Sequence, residues 1–294
     1  MISGQEERHS LLEAAEEALY LQWKRHGKHF EEYASEFVGT AFHIFAVVAV
    51  VAIVFAKSSP VGHWIPPLHL RLFIAGLLIG GSGSLVAISP AGRLSGGHIN
   101  PAMSLGFWAL GRMHSRDLIG YVIGQMAGGV CGALAAAAVL PKWTQEVKAA
   151  LLAPAAGLTP LATFGLEVAA TFFLATVIFS FVASKRLMRY TPLAVPITAG
   201  FLVFADGALS GAGLNPARWF GPAAMLSTWS LGWVYVIGPA AGAILAAAIR
   251  RHPSLPGRPP HTCKLFHDNR FRSVFKHDEV PSTPPAVVTK AVGS

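Results

Sequence analysis

Charge and cysteine are both scarce in this 294-residue chain, and each shortage removes a class of protein. Only 13% of the residues are charged against 53% hydrophobic, and the mean hydropathy is +0.49. So little charge cannot clothe a water-soluble domain of this length, and the composition describes a multi-span membrane protein. The two cysteines are Cys131, inside an apolar segment, and Cys263, far away in the tail, so no disulfide framework is indicated. There is no ATP-binding P-loop and no nucleophile constellation, which argues against an enzyme, and no metal or cofactor is expected. The first 30 residues lack a central apolar run with a small-residue cleavage site; no cleavable signal peptide is expected, and the first span should itself target the chain. Acids are few, 15 against 23 Lys and Arg, giving a net charge of +8. The basic excess is spread over loops and tails without an aromatic-interleaved stripe, which fits membrane orientation and not nucleic acid.

What is present is an internal repeat. The stretch from Ser95 through Gly96, Gly97, His98 and Ile99 to Asn100, Pro101 and Ala102 is answered by Ser210, Gly211, Ala212, Gly213 and Leu214, then Asn215, Pro216, Ala217 and Arg218. Each copy is a Gly-rich approach to a helix start: Asn suits the N-cap and Pro the first helical position, where no amide hydrogen is needed. If the halves are inverted, two half-helices enter from opposite faces and meet N-terminus to N-terminus near the midplane. Each tip carries roughly half a positive charge from its peptide dipoles.

The repeat extends to the first span of each half. Glu36 opens span one, about residues 36 to 56, and Glu167 lies near the start of span four; each Glu is followed four residues on by Thr. A carboxylate is costly in lipid and should point into the bundle. Span two covers about residues 70 to 88, and a half-helix runs from Asn100 to about Leu110. Span three, about 118 to 140, carries Gly120, Gly124, Gly128 and Gly132 at four-residue spacing, a smooth face for a neighbouring helix; Gly238 and Gly242 are its shorter counterpart in span six. A Pro- and Ala-rich connector from Pro141 to Pro160 leads to span four, ending near Ser184. Span five follows from Thr191 to Asp206, the second half-helix ends near Ser227, and span six runs from about Leu231 to Ile249.

The expected organisation is therefore a segment 1–32, a channel domain 33–250 with repeats of about 33–140 and 161–250, and a tail 251–294. In the first segment Leu12, Ala15, Leu19 and Trp23 recur at helical spacing opposite Glu13, Glu16 and Glu17. The tail, rich in Pro, His and basic residues without apolar periodicity, is expected to be disordered. Lys and Arg concentrate on the side that holds both termini, which predicts cytoplasmic ends.

Paired Asn-Pro-Ala boxes, the second followed at once by Arg218, resemble the aquaporin (major intrinsic protein) family over about residues 33 to 250. The resemblance implies an all-α membrane protein of six transmembrane helices plus two re-entrant half-helices, with an inverted internal repeat. It implies a passive channel for water that excludes protons, with small neutral solutes as further permeants, in a homotetramer in the plasma (inner) membrane. The dipole barrier is the argument generally made for aquaporin-type pores. Glu36 and Glu167 would brace the pore loops, His98 would line the cytoplasmic vestibule, and Arg218 would repel cations at a selectivity filter. Ala212 and Val203 would join that filter, together with Gly80 on a gapless match or Ala75 if the first loop carries an insertion around Pro90 to Arg93. Such a filter is wider and more apolar than a strict water filter, whereas Ala223 is water-channel-like; Trp219 and Asp206 depart from the family pattern. Asp206 could hold Arg218, coordinate a solute or be wetted from outside. The alternatives are a glycerol, ammonia or metalloid channel of the same family, a secondary transporter, and a structural protein with a blocked pore.

Overall fold

The computed structural model describes residues 18, 20–22, 24, 27, 29–252, 260–268 and 270–275. The helical spacing read around Leu12 to Glu17, Leu19 and Trp23 lies outside the described residues.

Long apolar runs form helices because lipid offers the backbone no other hydrogen-bond partner, even where Pro196 and Pro239 stand inside them. The first repeat comprises α1 (Phe30–Phe55), α2 (Val61–Trp64), α3 (Leu68–Ile88), α4 (Pro90–Ser95), α5 (Pro101–Ala109) and α6 (Ser115–Val139). The connector contributes α7 (Pro141–Glu146) and a 3-10 turn, Lys148–Ala150. The second repeat comprises α8 (Pro160–Val182), α9 (Thr191–Asp206), α10 (Pro216–Leu226) and α11 (Gly232–Arg251). No strand occurs among the described residues. Among the described residues six helices are long and apolar enough to cross a membrane: α1, α3, α6, α8, α9 with its preceding turn, and α11. This is a multi-pass integral membrane protein. The three short helices α2, α4 and α7 were not legible in the sequence, because a single turn or so of helix has no periodicity to read.

Packing repeats the sequence symmetry. α1 lies along α6, α8 along α11, and α3 against α9 at the centre. Each half-helix crosses over, α5 packing on α11 and α10 on α6, so neither repeat can bury its own half-helix without the other. The glycine face of α6 explains the closeness of one pair: a Cβ on Gly128 would sit 2.3 Å from the Phe37 carbonyl oxygen, and one on Gly132 2.3 Å from that of Ala41. In the other pair a Cβ on Gly242 would sit 2.4 Å from the Val168 oxygen.

Both ends of the described chain lie at one face, since Tyr20 hydroxyl donates to the Ser273 carbonyl and Arg272 pairs with Glu31 and Glu32. We call this the terminal face and its opposite the far face. The expectation of a structureless tail does not hold for residues 260–268 and 270–275. They lack regular helix, yet Cys263, Lys264, Leu265, Val274 and Phe275 are buried. Composition hid this because the segment packs through isolated side chains and backbone bonds, not through a periodic face.

Candidate functional site

The two boxes build one centre. Asn100 caps α5, its Oδ1 accepting from Ala102 N at 2.9 Å, and Asn215 caps α10 by accepting from Ala217 N at 2.9 Å. Pro101 and Pro216 open the two half-helices, where the missing amide costs nothing. The two amide groups then cross: Asn100 Nδ2 donates to the Leu214 carbonyl and Asn215 Nδ2 to the Ile99 carbonyl, both at 2.9 Å. The half-helix tips therefore confront each other at hydrogen-bonding range. Each amide carries two hydrogens; one is spent on the opposite loop and one remains for a permeant.

The loops that deliver these asparagines are bent against their preferences. Ile99, Ala212 and Leu214 have φ of 44°, 48° and 59°, a left-handed conformation that is strained for side-chain-bearing residues and most so for β-branched Ile. The compensation is a buried carboxylate in each half. Glu36 Oε1 accepts from Ser95 Oγ at 2.7 Å and His98 N at 3.0 Å, and Oε2 from Ile99 N at 2.6 Å and Gln125 Nε2 at 2.7 Å. Glu167 Oε1 accepts from Ser210 Oγ and Gly213 N, both at 2.8 Å, and Oε2 from Leu214 N at 3.0 Å.

Two further pairs were missed from sequence. Tyr121 hydroxyl donates to the Ser95 carbonyl at 2.5 Å, and Tyr235 hydroxyl to the Ser210 carbonyl at 2.8 Å. A signal existed, since Ser95 and Ser210 each stand five residues before their Asn and a Tyr follows each box at nearly equal distance.

A cavity of about 410 Å³ runs past this centre, bordered by Asn100, Asn215, His98, His43 and Arg218. Arg218 stands on the first turn of α10, 9% exposed, and its Nη1 donates to the Ala150 carbonyl at 3.2 Å. That carbonyl is aimed by the left-handed run Lys148, Ala149 and Ala150 in the connector. Val203 and Ala212 border the same cavity and pack together with Leu72. Both span-two candidates border it as well, at different depths. Gly76 meets the Val203 side chain, so neighbouring Ala75 is level with Val203, whereas Gly80, five residues on, meets Pro196 and Ala199, about 7.5 Å deeper along α3.

Asp206 does not reach Arg218. Its carboxylate accepts from Ser210 N at 3.2 Å and lies 2.6 Å from Ser210 Oγ, whose single hydrogen it shares with Glu167, extending that network. Trp219 is buried against Trp229 and the start of α11, where a Cβ on Gly232 would sit 2.4 Å from its ring. His43 on α1 borders the lumen and shares a hydrogen bond with Ser82 Oγ at 2.8 Å.

The family model for Major intrinsic protein matches residues 23–250. The chain belongs to that family. Among curated members of the major intrinsic proteins, the chain is 33% identical over 233 residues to Aquaporin-8 of Mus musculus, covering 75% of this chain and 83% of that one. It is 31% identical over 224 residues to Aquaporin PIP1-1 of Arabidopsis thaliana, covering 72% and 75%. In fold it is similar to the solved aquaglyceroporin of Plasmodium falciparum, with a TM-score of 0.64 at 20% identity, covering 78% of this chain and 98% of that one. For a major intrinsic protein, the arrangement above places its strained loops, both carboxylates and Arg218 around one lumen.

Proposed function

We propose that this protein is a passive channel for water, and for small neutral solutes, that excludes protons. The observation that carries the reading is the reciprocal pair of bonds from Asn100 to the Leu214 carbonyl and from Asn215 to the Ile99 carbonyl, with both asparagines bordering the cavity. A water passing between the two amides offers its oxygen to their remaining hydrogens and turns its own hydrogens away. The relay of hydrogen bonds that could move a proton is broken there, and two dipole ends of about half a charge each raise the barrier. Arg218 adds a full positive charge on the far side and hydrogen-bond donors for a polar permeant. Glu36 and Glu167 act as braces that hold the strained loops.

A second reading, a channel that also passes polyols such as glycerol, is favoured by the side chains level with Arg218. Ala75, Val203 and Ala212 line the cavity with small, apolar side chains, and His43 adds a polar ring to the same lining. Basic residues cluster at the terminal face, including Arg93, Arg112, Arg116, Lys185 and Arg186, and we place that face in the cytoplasm of a plasma (inner) membrane. Exposed apolar side chains along α1, α3 and α9 fit lipid and the subunit contacts of a homotetramer.

The test is stopped-flow light scattering of proteoliposomes. Under a sucrose gradient, shrinkage should be several-fold faster than in empty vesicles once the tail is displaced (below). Under a glycerol gradient, fast re-swelling supports the second reading, and slow re-swelling restricts the channel to water. Shrinkage at the empty-vesicle rate in every preparation overturns the channel reading.

A further inference from the structure

The tail residues that composition predicted to be loose sit in the terminal mouth of the lumen. Leu265 borders the cavity together with His98, Asn100 and Met103, and its amide donates to the Gly96 carbonyl at 3.0 Å, bonding the tail to the first pore loop. His98, expected in a wetted vestibule, is 1% exposed. Its Nε2 is 2.9 Å from the Cys263 carbonyl oxygen, and its ring is stacked between Phe107 and Phe275, with centroids at 4.7 and 5.2 Å. Phe275 fits against Gly96, whose φ of 97° and lack of Cβ allow the approach; a Cβ there would lie 2.8 Å from the ring.

The segment is held by more than apolar contact. The Lys264 ammonium is buried and donates to the carbonyls of Arg93, Phe271 and Arg272. At the rim, Arg272 pairs with Glu31 at 2.6 Å and Glu32 at 2.7 Å, and Asp268 pairs with Arg93 at 3.0 Å. The tail thus touches the pore loop at its centre and two charged anchors at its edge, one on α1 and one on α4. A buried ammonium and a buried guanidinium are each expensive to desolvate, and docking supplies each with acceptors from the body of the protein, the Arg93 carbonyl for Lys264 and the Glu31 and Glu32 carboxylates for Arg272.

We propose that residues 260–268 and 270–275 are an inhibitory plug: docked, they close the terminal mouth, and release of the Arg272 anchor opens it. The proposal rests on the channel reading above, and the same vesicles test the two separately. Osmotic water permeability per reconstituted channel is measured for the full chain, for Arg272→Glu, which opposes Glu31 and Glu32, and for Phe275→Ala, which removes the ring from His98. Monodispersity and the thermal transition in detergent establish that each variant is folded, and limited trypsin digestion reads the tail, since Lys264 and Arg272 are buried when docked.

The plug predicts a slow full chain, and at least fivefold faster water flow in whichever folded variant cleaves newly at Lys264 or Arg272. It is overturned if such a variant, its tail demonstrably released, flows no faster than the full chain while all exceed empty vesicles. It is equally overturned if the folded full chain is already cleaved at Lys264 at the rate of a variant. If every preparation stays at the empty-vesicle rate with the tail released, the channel reading falls and the plug with it.

Discussion

Replacing Glu167 with Gln changes one oxygen into an NH2 group and removes a charge, with almost no change in volume. The amide can keep its single carbonyl toward Ser210 Oγ and Gly213 N, but its NH2 then faces the amide of Leu214, donor against donor. A hydrogen bond to a charged acceptor is worth about 1.5–3 kcal/mol and a buried N–H left without one costs about 1–3 kcal/mol, so the loop loses about 3–5 kcal/mol of tether. What the tether restrains is Ala212 and Leu214 at φ of 48° and 59°, strain of order 1–3 kcal/mol each. The two quantities are comparable, so the loop relaxes and carries Asn215 with it. The same substitution at Glu36 should cost at least as much, because its Oε2 accepts from both Ile99 N and Gln125 Nε2, and an amide NH2 there faces the Ile99 amide donor against donor. Turning the Gln125 amide to present Oε1 would satisfy the new NH2 but would leave Ile99 N unpaired and give up the Nε2 donation to Ser104 Oγ. In the Arg272→Glu background, Glu167→Gln and Glu36→Gln should each lower osmotic permeability per channel at least tenfold in stopped-flow assays. A Glu167→Gln channel within twofold of its parent, with an unchanged thermal transition, would refute the brace argument.

Three further outcomes follow from other parts of the molecule. Val203→His puts an imidazole level with Ala75 and beside Arg218, and should cut glycerol re-swelling about tenfold or more while water flow falls less than threefold. Gly132→Leu drives a branched side chain into the Ala41 carbonyl, 2.3 Å from where its Cβ must lie; overpacking of this kind costs about 1–3 kcal/mol, and the thermal transition should drop by several degrees. The side chain of Arg270, hydrogen-bonded to Asp268, and the nearby charge of Arg93 hold the Asp268 carboxyl well below the usual carboxylate range. Its contribution to tail docking is therefore complete above the unfolded value of about 3.9 and is lost only as pH falls through the lower docked value. The difference in tryptic protection between the full chain and Asp268→Asn should stay constant from pH 8 to pH 5.

The residues that were readable in advance are those whose chemistry is expensive where it stands. Two carboxylates and an arginine at membrane depth, and an Asn-Pro pair repeated in both halves, announce a buried polar centre, because lipid tolerates them only in a satisfied one. The long helices were legible for the complementary reason, that continuous apolar runs permit nothing else. Ser95, Ser210, Tyr121 and Tyr235 were not, since a Ser in a glycine loop and a Tyr in a span are cheap and common. Span two was ambiguous by five positions because a short helix such as α4 carries no periodicity from which the length of its loop could be matched. The docked tail was invisible to composition: one phenylalanine, one leucine and one buried lysine carry it, and no average over a window registers three residues.

The inverted repeat gives the plug its physical sense. Gly96 and Gly211 each stand four residues before their asparagine, both with φ near 95°, and each is pressed by a side chain from outside the repeat. At the far face the pressing group is Leu152, whose Cδ2 would lie 2.6 Å from a Cβ on Gly211, and the segment that carries it also supplies the Ala150 carbonyl to Arg218. At the terminal face the pressing group is Phe275, on the segment whose Cys263 carbonyl meets His98. Both mouths are thus dressed by a non-helical segment at symmetry-related glycines, but the two segments are tethered differently. The connector is tied to a span on each side, α6 and α8, and can only flex. The tail is tied to one described span, α11, and is held at the mouth by the non-covalent contacts given above. An arrangement symmetric in contact and asymmetric in tether makes one mouth a fixed filter and the other a removable stop, which is why the anchors at Arg272 and Asp268, and not the filter at Arg218, should govern whether the channel is open.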